Sequence, residues 1–122
     1  KRVQCMRAED LAFPDASFDA VISIHTIEHV TDIDTVLTEM ERVLVPGGRL
    51  LLVYPWEPVR GTTAIPASVI QYGHPFKARQ IHRHSVRPRR LEPALTRVGL
   101  TPRISRYQPL SSQFFTVADK AA

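Results

Sequence analysis

The stretch FDAVISIHTIEHV, Phe18 to Val30, decides how the rest of this 122-residue chain is read. Phe18 to Ile24 is an apolar run broken only by Asp19 and Ser23, which predicts a strand buried on both faces. It ends in His25-Thr26-Ile27-Glu28-His29, where two imidazoles and a carboxylate fall within five residues. Metal ligation, proton transfer and plain packing are all open to those three side chains.

Beyond it, Ile33, Val36, Leu37, Met40, Val43 and Leu44 recur at helical spacing and predict a helix over about Asp32 to Leu44. Thr31 or Asp32 suits its N-cap, and Asp34 complements the positive end of its dipole. Pro46-Gly47-Gly48 is expected to end the helix, and Leu50 to Tyr54 to form a second buried strand. Strand, helix, strand with short connections implies a right-handed crossover and a parallel sheet.

On the amino side, Val3 to Met6 reads as a short strand and Phe13-Pro14-Asp15-Ala16-Ser17 as a turn. From Pro55 to Ser85 no period is sustained, which points to a lid or binding segment. Leu91, Ala94, Leu95 and Val98 mark a second amphipathic helix closed by Gly99, with Pro93 suited only to a first turn. Arg103–Tyr107 and Phe114–Asp119 predict a closing antiparallel hairpin.

Composition bounds the answer. An apolar share of 43% and a charged share of 23% are ordinary for one soluble domain. No apolar run approaches the roughly 20 residues of a membrane span, and no charged-then-apolar leader opens the chain, so a cytoplasmic protein is expected. The single Cys5 excludes an internal disulfide and a cysteine-based zinc site. Residues 1–60 carry six basic against ten acidic side chains, net −4, and residues 61–122 ten against two, net +8. Such asymmetry suits either an anion-binding face or a solvated Arg-rich surface, and charge alone favours the second.

The ordered series A-E-D-L-A-F-P-D-A-S-F-D-A-V-I-S, I-E-H-V and E-R-V-L-V-P-G-G-R-L-L-L-V-Y-P closely resembles the second half of class I S-adenosylmethionine-dependent methyltransferases. Within them it is most similar to the small-molecule, methyltransferase type 11-like branch that includes ubiquinone and menaquinone biosynthesis enzymes. The resemblance covers residues 3–56 strongly and 84–119 weakly. It implies an α/β, Rossmann-like sheet of order 3-2-1-4-5-7-6, with Val3–Met6 as strand 3, Phe18–Ile24 as strand 4, Leu50–Tyr54 as strand 5 and the C-terminal antiparallel hairpin as strands 6 and 7. Strands 1 and 2 and the Gly-rich loop have no counterpart, since no G-x-G occurs. The expectation is therefore one partial methyltransferase domain over 1–122, the C-terminal part of a longer enzyme. Cofactor-side motifs span 1–56, a substrate lid 57–85, and the closing helix and hairpin 86–122.

The same resemblance implies S-adenosyl-L-methionine as cofactor, touched by Arg7, Ala8, Glu9 and Leu11 on the adenine side and by Ser23 and Ile24 at the end of strand 4. Arg7 stands where the family has Asp, a departure from its D-A-E pattern. Tyr54, Trp56, Tyr72, His74 and Phe76 are the expected walls of an acceptor pocket. His25 and His29 are the expected catalytic groups, ranked as packing or hydrogen bonding first, general base second and metal ligand third. Some relatives carry E-x-x-E-H and use a divalent ion, but His25 replaces the first carboxylate here, and no metal is assigned. The inverted zinc-peptidase motif shares these letters but needs both imidazoles on one long helix, whereas a strand runs into them here.

The function expected is methyl transfer to an O, N or C atom of a small organic acceptor. The alternatives are a non-catalytic methyltransferase-like fragment acting by association or anion binding, and an RNA methyltransferase using the basic half. The expected partners are the acceptor and the N-terminal portion of the same domain, with neither nucleic acid nor a membrane span.

Overall fold

Phe18–Ile24 forms β1 in the computed structural model, which describes residues 3–57, 65–74 and 83–122. Helix α1, Ile33–Val43, starts after Asp32, whose carboxylate accepts the Asp34 amide at 3.0 Å. Its stripe Val36, Leu37, Met40 and Val43 is buried. Strand β2 is Leu44–Pro55 and runs parallel to β1, with Val21 opposite Leu50 and Ile24 opposite Val53. A helix α2, Ile65–Tyr72, forms where no period was legible, with Pro66 in its first turn. Helix α3, Pro88–Arg97, begins earlier than Leu91, so Pro93 lies inside it rather than in its first turn and forfeits a backbone donor. Strands β3, Leu100–Gln108, and β4, Gln113–Lys120, are joined by a short 3-10 turn over Pro109–Ser111.

The sheet order is β1-β2-β4-β3, with β4 antiparallel to both neighbours. This is the 4-5-7-6 half of the expected order. Leu50, Leu52 and Tyr54 of β2 point to one face and meet Leu37, Leu91, Leu95 and Leu100 in a core with almost no exposure. The side chains of that face drive the fold, each buried Leu contributing roughly 1.5–3 kcal/mol.

Two expectations are corrected. Val3–Met6 forms no strand: it is irregular and Val3 is 94% exposed, because no described strand lies beside it. Nor is β1 buried on both faces, since Ile22 and Ile24 remain 63% and 60% exposed. Among the described strands only β2 pairs with β1, and no described helix covers the face carrying Ile22, Ile24 and half-exposed Ile104. No helix among the described residues is long and apolar enough to cross a membrane.

The Pro-Gly-Gly segment also differs from expectation. Helix α1 ends at Val43, and Pro46-Gly47-Gly48 lies within the strand as an irregularity: Phe18 pairs with Leu44, but Ala20 pairs with Arg49. Gly47 has φ +76° and donates to Ala121 O at 3.0 Å. A Cβ on Gly48 would lie 2.8 Å from Val45 O and 3.2 Å from Asp19 O. Both of those atoms are backbone, so neither swings aside.

The loop before β1 is held by Arg42 of α1. Its guanidinium grips Glu39 with two bonds of 2.8 Å, and also donates to Asp15 at 2.7 Å, Phe13 O at 2.8 Å and Leu11 O at 2.9 Å. Glu39 in turn accepts the Leu11 amide at 2.8 Å. The Arg42 bonds, with help from that amide, hold the Glu39 carboxyl down at about 2, from its ordinary 4.5.

Two outcomes follow. Gly48→Ala should lower stability by about 1–3 kcal/mol through overpacking, whereas Gly47→Ala, with open space around it, should cost only the roughly 1–2 kcal/mol of a left-handed backbone; denaturant unfolding of both variants ranks them. Because the folded pKa of Glu39 is depressed, its contribution is complete above about pH 4.5 and fades as pH falls toward about 2. Thermal melts should therefore show Glu39→Gln well below the wild type at pH 7, with the gap closing near pH 2.

Candidate functional site

His25 is the first residue past β1, and its amide still donates to Val53 O at 2.9 Å, extending the parallel ladder by one bond. Its φ of +50° turns the chain sharply there, a left-handed conformation that His tolerates better than most residues. The turn that follows is anchored by Ile27 and Val30 in the core. The carbonyl of Glu28 accepts the amides of Arg83 at 2.9 Å and His84 at 3.1 Å, and His84 Nε2 lies 2.9 Å from Val30 O. This packing places the Glu28 side chain inside the protein, 1% exposed.

Three groups of the motif therefore converge. His25 Nδ1 lies 3.2 Å and His29 Nε2 3.8 Å from Glu28 Oε1. Glu28 Oε2 is buried without a hydrogen-bond partner among the described residues. On its other side the His25 ring meets the Gln113 amide, Nε2 to Nε2, at 2.8 Å. Gln113 opens β4 opposite Pro55, so the carboxyl end of β2 brings it to the end of β1.

Aromatic side chains border this spot. Trp56, 40% exposed, donates its amide to Ser112 O at 2.8 Å and meets Tyr107 edge-on at 5.5 Å. Tyr107 leans on Phe114 at 5.2 Å, and Phe114 stacks on Tyr54 at 5.7 Å. Tyr54 itself is fully buried; its hydroxyl bonds Thr116 at 2.9 Å, and burial pushes its pKa up to about 12. It supports the aromatic wall from behind rather than forming its surface. Tyr72 and His74 are exposed on and just after α2, while Phe76 lies outside the described residues, as do Lys77 to His82 of the expected lid.

The cofactor-side residues divide. Leu11, Ser23 and Ile24 line a cleft of about 550 Å³ along the open edge of β1, with Phe13, Thr26 and Met40. Arg7, Ala8 and Glu9 form instead a turn against the start of α1. Glu9 accepts the Thr31 amide at 3.2 Å and pairs with Arg7 at 3.7 Å, and the Thr31 bond holds its carboxyl below the usual range. Ala8 packs on the core.

Two participants stand outside the residues expected to be catalytic or binding. Glu28 is visible in the motif, but its burial depends on the backbone at Arg83 and His84, far along the chain. Gln113 stands 88 residues from His25, and no local pattern signals it.

Comparison with known proteins shows what the chain is similar to. Residues 1–52 match the methyltransferase domain. Over 46 residues the chain is 56% identical to the ubiquinone/menaquinone biosynthesis C-methyltransferase UbiE of Hahella chejuensis, a match covering 38% of this chain and 18% of that protein. Among solved structures, the (4+2)-cyclase SpnF matches 98% of this chain and 55% of its own with a TM-score of 0.74 at 15% identity. The Burkholderia thailandensis 1,6-didemethyltoxoflavin-N1-methyltransferase, solved with its namesake compound and S-adenosylhomocysteine, matches 96% of this chain and 49% of its own with a TM-score of 0.67 at 18% identity. The chain thus spans less than a fifth of the relative it matches in sequence, yet nearly all of it overlays on these folds. Residues 1–52 match the methyltransferase domain, and over nearly its whole length the chain shares the Rossmann-like α/β fold of these solved structures.

Proposed function

We propose that this chain supplies one flank of an S-adenosyl-L-methionine-dependent methyltransferase site that acts on an O, N or C atom of a small organic acceptor. The observation that carries the proposal is an overlap: the cleft along β1 is lined from Leu11 to Val43, wholly within the residues matching the methyltransferase domain. In open α/β sheets, ligands bind beyond the carboxyl ends of the strands, where Ser23, Ile24 and His25 stand.

The residues present fit one side of the cofactor. Leu11, Phe13 and Met40 offer an apolar wall for a flat ring, and Ser23, Ile24 and Thr26 a mixed edge for its polar part. The family's Gly-rich loop would form the opposite wall. When bound, the cofactor supplies a methyl group already activated on a sulfonium, so the protein's task is alignment and, where needed, proton removal. Trp56 and Tyr107 present aromatic surface on which an acceptor can lie. His25 and His29 are the bases within the site, and the buried turn that carries them keeps their placement rigid.

A second reading, association without catalysis, draws on the open apolar edge of β1, a strand that invites pairing. Calorimetric titration of S-adenosylhomocysteine separates the two. The 122-residue chain should bind it weakly, and a version with the Gly-rich strand and loop ahead of Lys1 at least about tenfold tighter, a difference of about 1.4 kcal/mol. Loss of that binding in Ser23→Trp, which fills the cleft, would place the ligand there. Absence of binding in both versions would leave the association reading.

A further inference from the structure

We infer that Glu28 and His25 form a proton-accepting dyad, in which the buried carboxylate holds the imidazole with its proton on Nδ1 and leaves the Nε2 lone pair facing the acceptor. The assignment of an acceptor rests on the methyltransferase reading above; the assignment of the proton rests on the geometry of a neutral His25 ring beside an ionised Glu28.

Two neighbours dictate the same tautomer. A carboxylate oxygen accepts and never donates, so the ring nitrogen 3.2 Å from Glu28 Oε1 carries a hydrogen. The side-chain amide nitrogen of Gln113 donates and does not accept, so the ring nitrogen 2.8 Å from it carries a lone pair. Turning the Gln113 amide over would bring its oxygen to Nε2–H. That would set the Nδ1 lone pair against Glu28, or require a cationic ring. For a neutral imidazole beside an ionised Glu28, the arrangement with Nδ1–H and a free Nε2 is the one without repulsion.

Glu28 is poorly explained by packing. An apolar side chain would fill the same space without cost, whereas a buried carboxylate oxygen with no partner is destabilising. Among the described residues its other oxygen faces two imidazoles, His25 at 3.2 Å and His29 at 3.8 Å. The backbone around it is immobilised by the bonds from Arg83 and His84, so the carboxylate is a fixed reference against which the His25 ring is set. The left-handed backbone at His25 swings that ring to the end of the strand, leaving its side chain 39% exposed.

In this arrangement an acceptor X–H displaces the Gln113 amide from Nε2. The X–H bond breaks, the proton moves to Nε2, and its electron pair stays on X as the nucleophile. The imidazolium so formed keeps its Nδ1–H on Glu28, whose negative charge lies alongside, and the half-exposed ring later returns the proton to water. The driving force for this proton transfer grows with the acidity of X–H. Glu28 is a positioning residue in this scheme, and His25 the group that meets the acceptor.

The tautomer is directly measurable. Long-range proton–nitrogen NMR on histidine-labelled protein, with the His25 signals assigned by their loss in His25→Asn, should show a protonated Nδ1 and an unprotonated Nε2 in the neutral ring. Glu28→Met, which removes the acceptor while filling its space, should abolish that preference in favour of Nε2–H. Gln113→Ala should preserve it. A wild-type ring in the Nε2–H form or as an even mixture overturns the dyad, even if Glu28→Met fails to fold. A preference unchanged in a folded Glu28→Met overturns it too. Failure of the S-adenosylhomocysteine titration would remove the methyl-transfer reading and leave the tautomer result standing, so the two are separable.

Discussion

The parallel pairing of β1 with β2 is the constraint on which the rest depends. Because β1 has one neighbour among the described strands, its position is set by the bonds to β2, the last of them from the His25 amide to Val53 O. Everything chemical hangs from the end of that ladder. The turn carrying Glu28 starts there, Trp56 continues β2 beside it, and Gln113 reaches it because β4 pairs with Pro55. A strand held on one side is prone to slip, and a one-residue slip would turn His25 to the other face. Two devices oppose this. The backbone of Asp19 fits closely against Gly48, and Arg42 ties the preceding loop to α1 through three bonds, to Leu11, Phe13 and Asp15.

Much of this was legible in the sequence because its signals are local. The stripe from Ile33 to Val43 is a helix, and its period reads directly from the residues. From Phe18 onward the order strand, helix, strand, helix, hairpin is as expected apart from the added α2, and so is the half-sheet it builds. What failed to read was non-local. Burial of β1 depends on what lies on its second face, which an apolar run cannot specify, and the same holds for Val3–Met6. Pro93 sits inside α3 because Leu91, Ala94 and Leu95 bury together, and that burial overrides the missing donor. In the site, His25 was legible as a residue but its tautomer was not, since both groups that set it lie across a turn or across the sheet.

The charge asymmetry between the halves of the chain takes on a different meaning in three dimensions. Arg97 of the basic half reaches Asp34 of the acidic half at 2.8 Å, and Lys120 reaches Glu41 at 3.0 Å. Arg49 and Arg103 share Asp119 at 2.7 and 3.1 Å, which holds its carboxyl below the usual range. The halves are in part each other's counterions. Exposed pairs of this kind contribute little stability each, roughly 0–1 kcal/mol. Their effect is to use up several of the cations that a nucleic-acid face would need.

The fold alone does not determine the chemistry. A protein described as a cyclase overlays on this chain as well as methyltransferases do, so the sheet is a scaffold shared among reactions. What separates one reaction from another must lie in side chains at the carboxyl ends of the strands. At that place this chain has an imidazole oriented by a buried carboxylate and covered by an amide, beside aromatic rings. Under the methyl-transfer reading proposed above, a group so arranged serves to remove a proton from an acceptor lying on those rings. It has no evident use in a module that only associates through a strand edge. The burial of Glu28 is therefore evidence about function as well as fold: a half-matched carboxylate costs stability wherever it sits, and orienting a base at the strand end accounts for that cost.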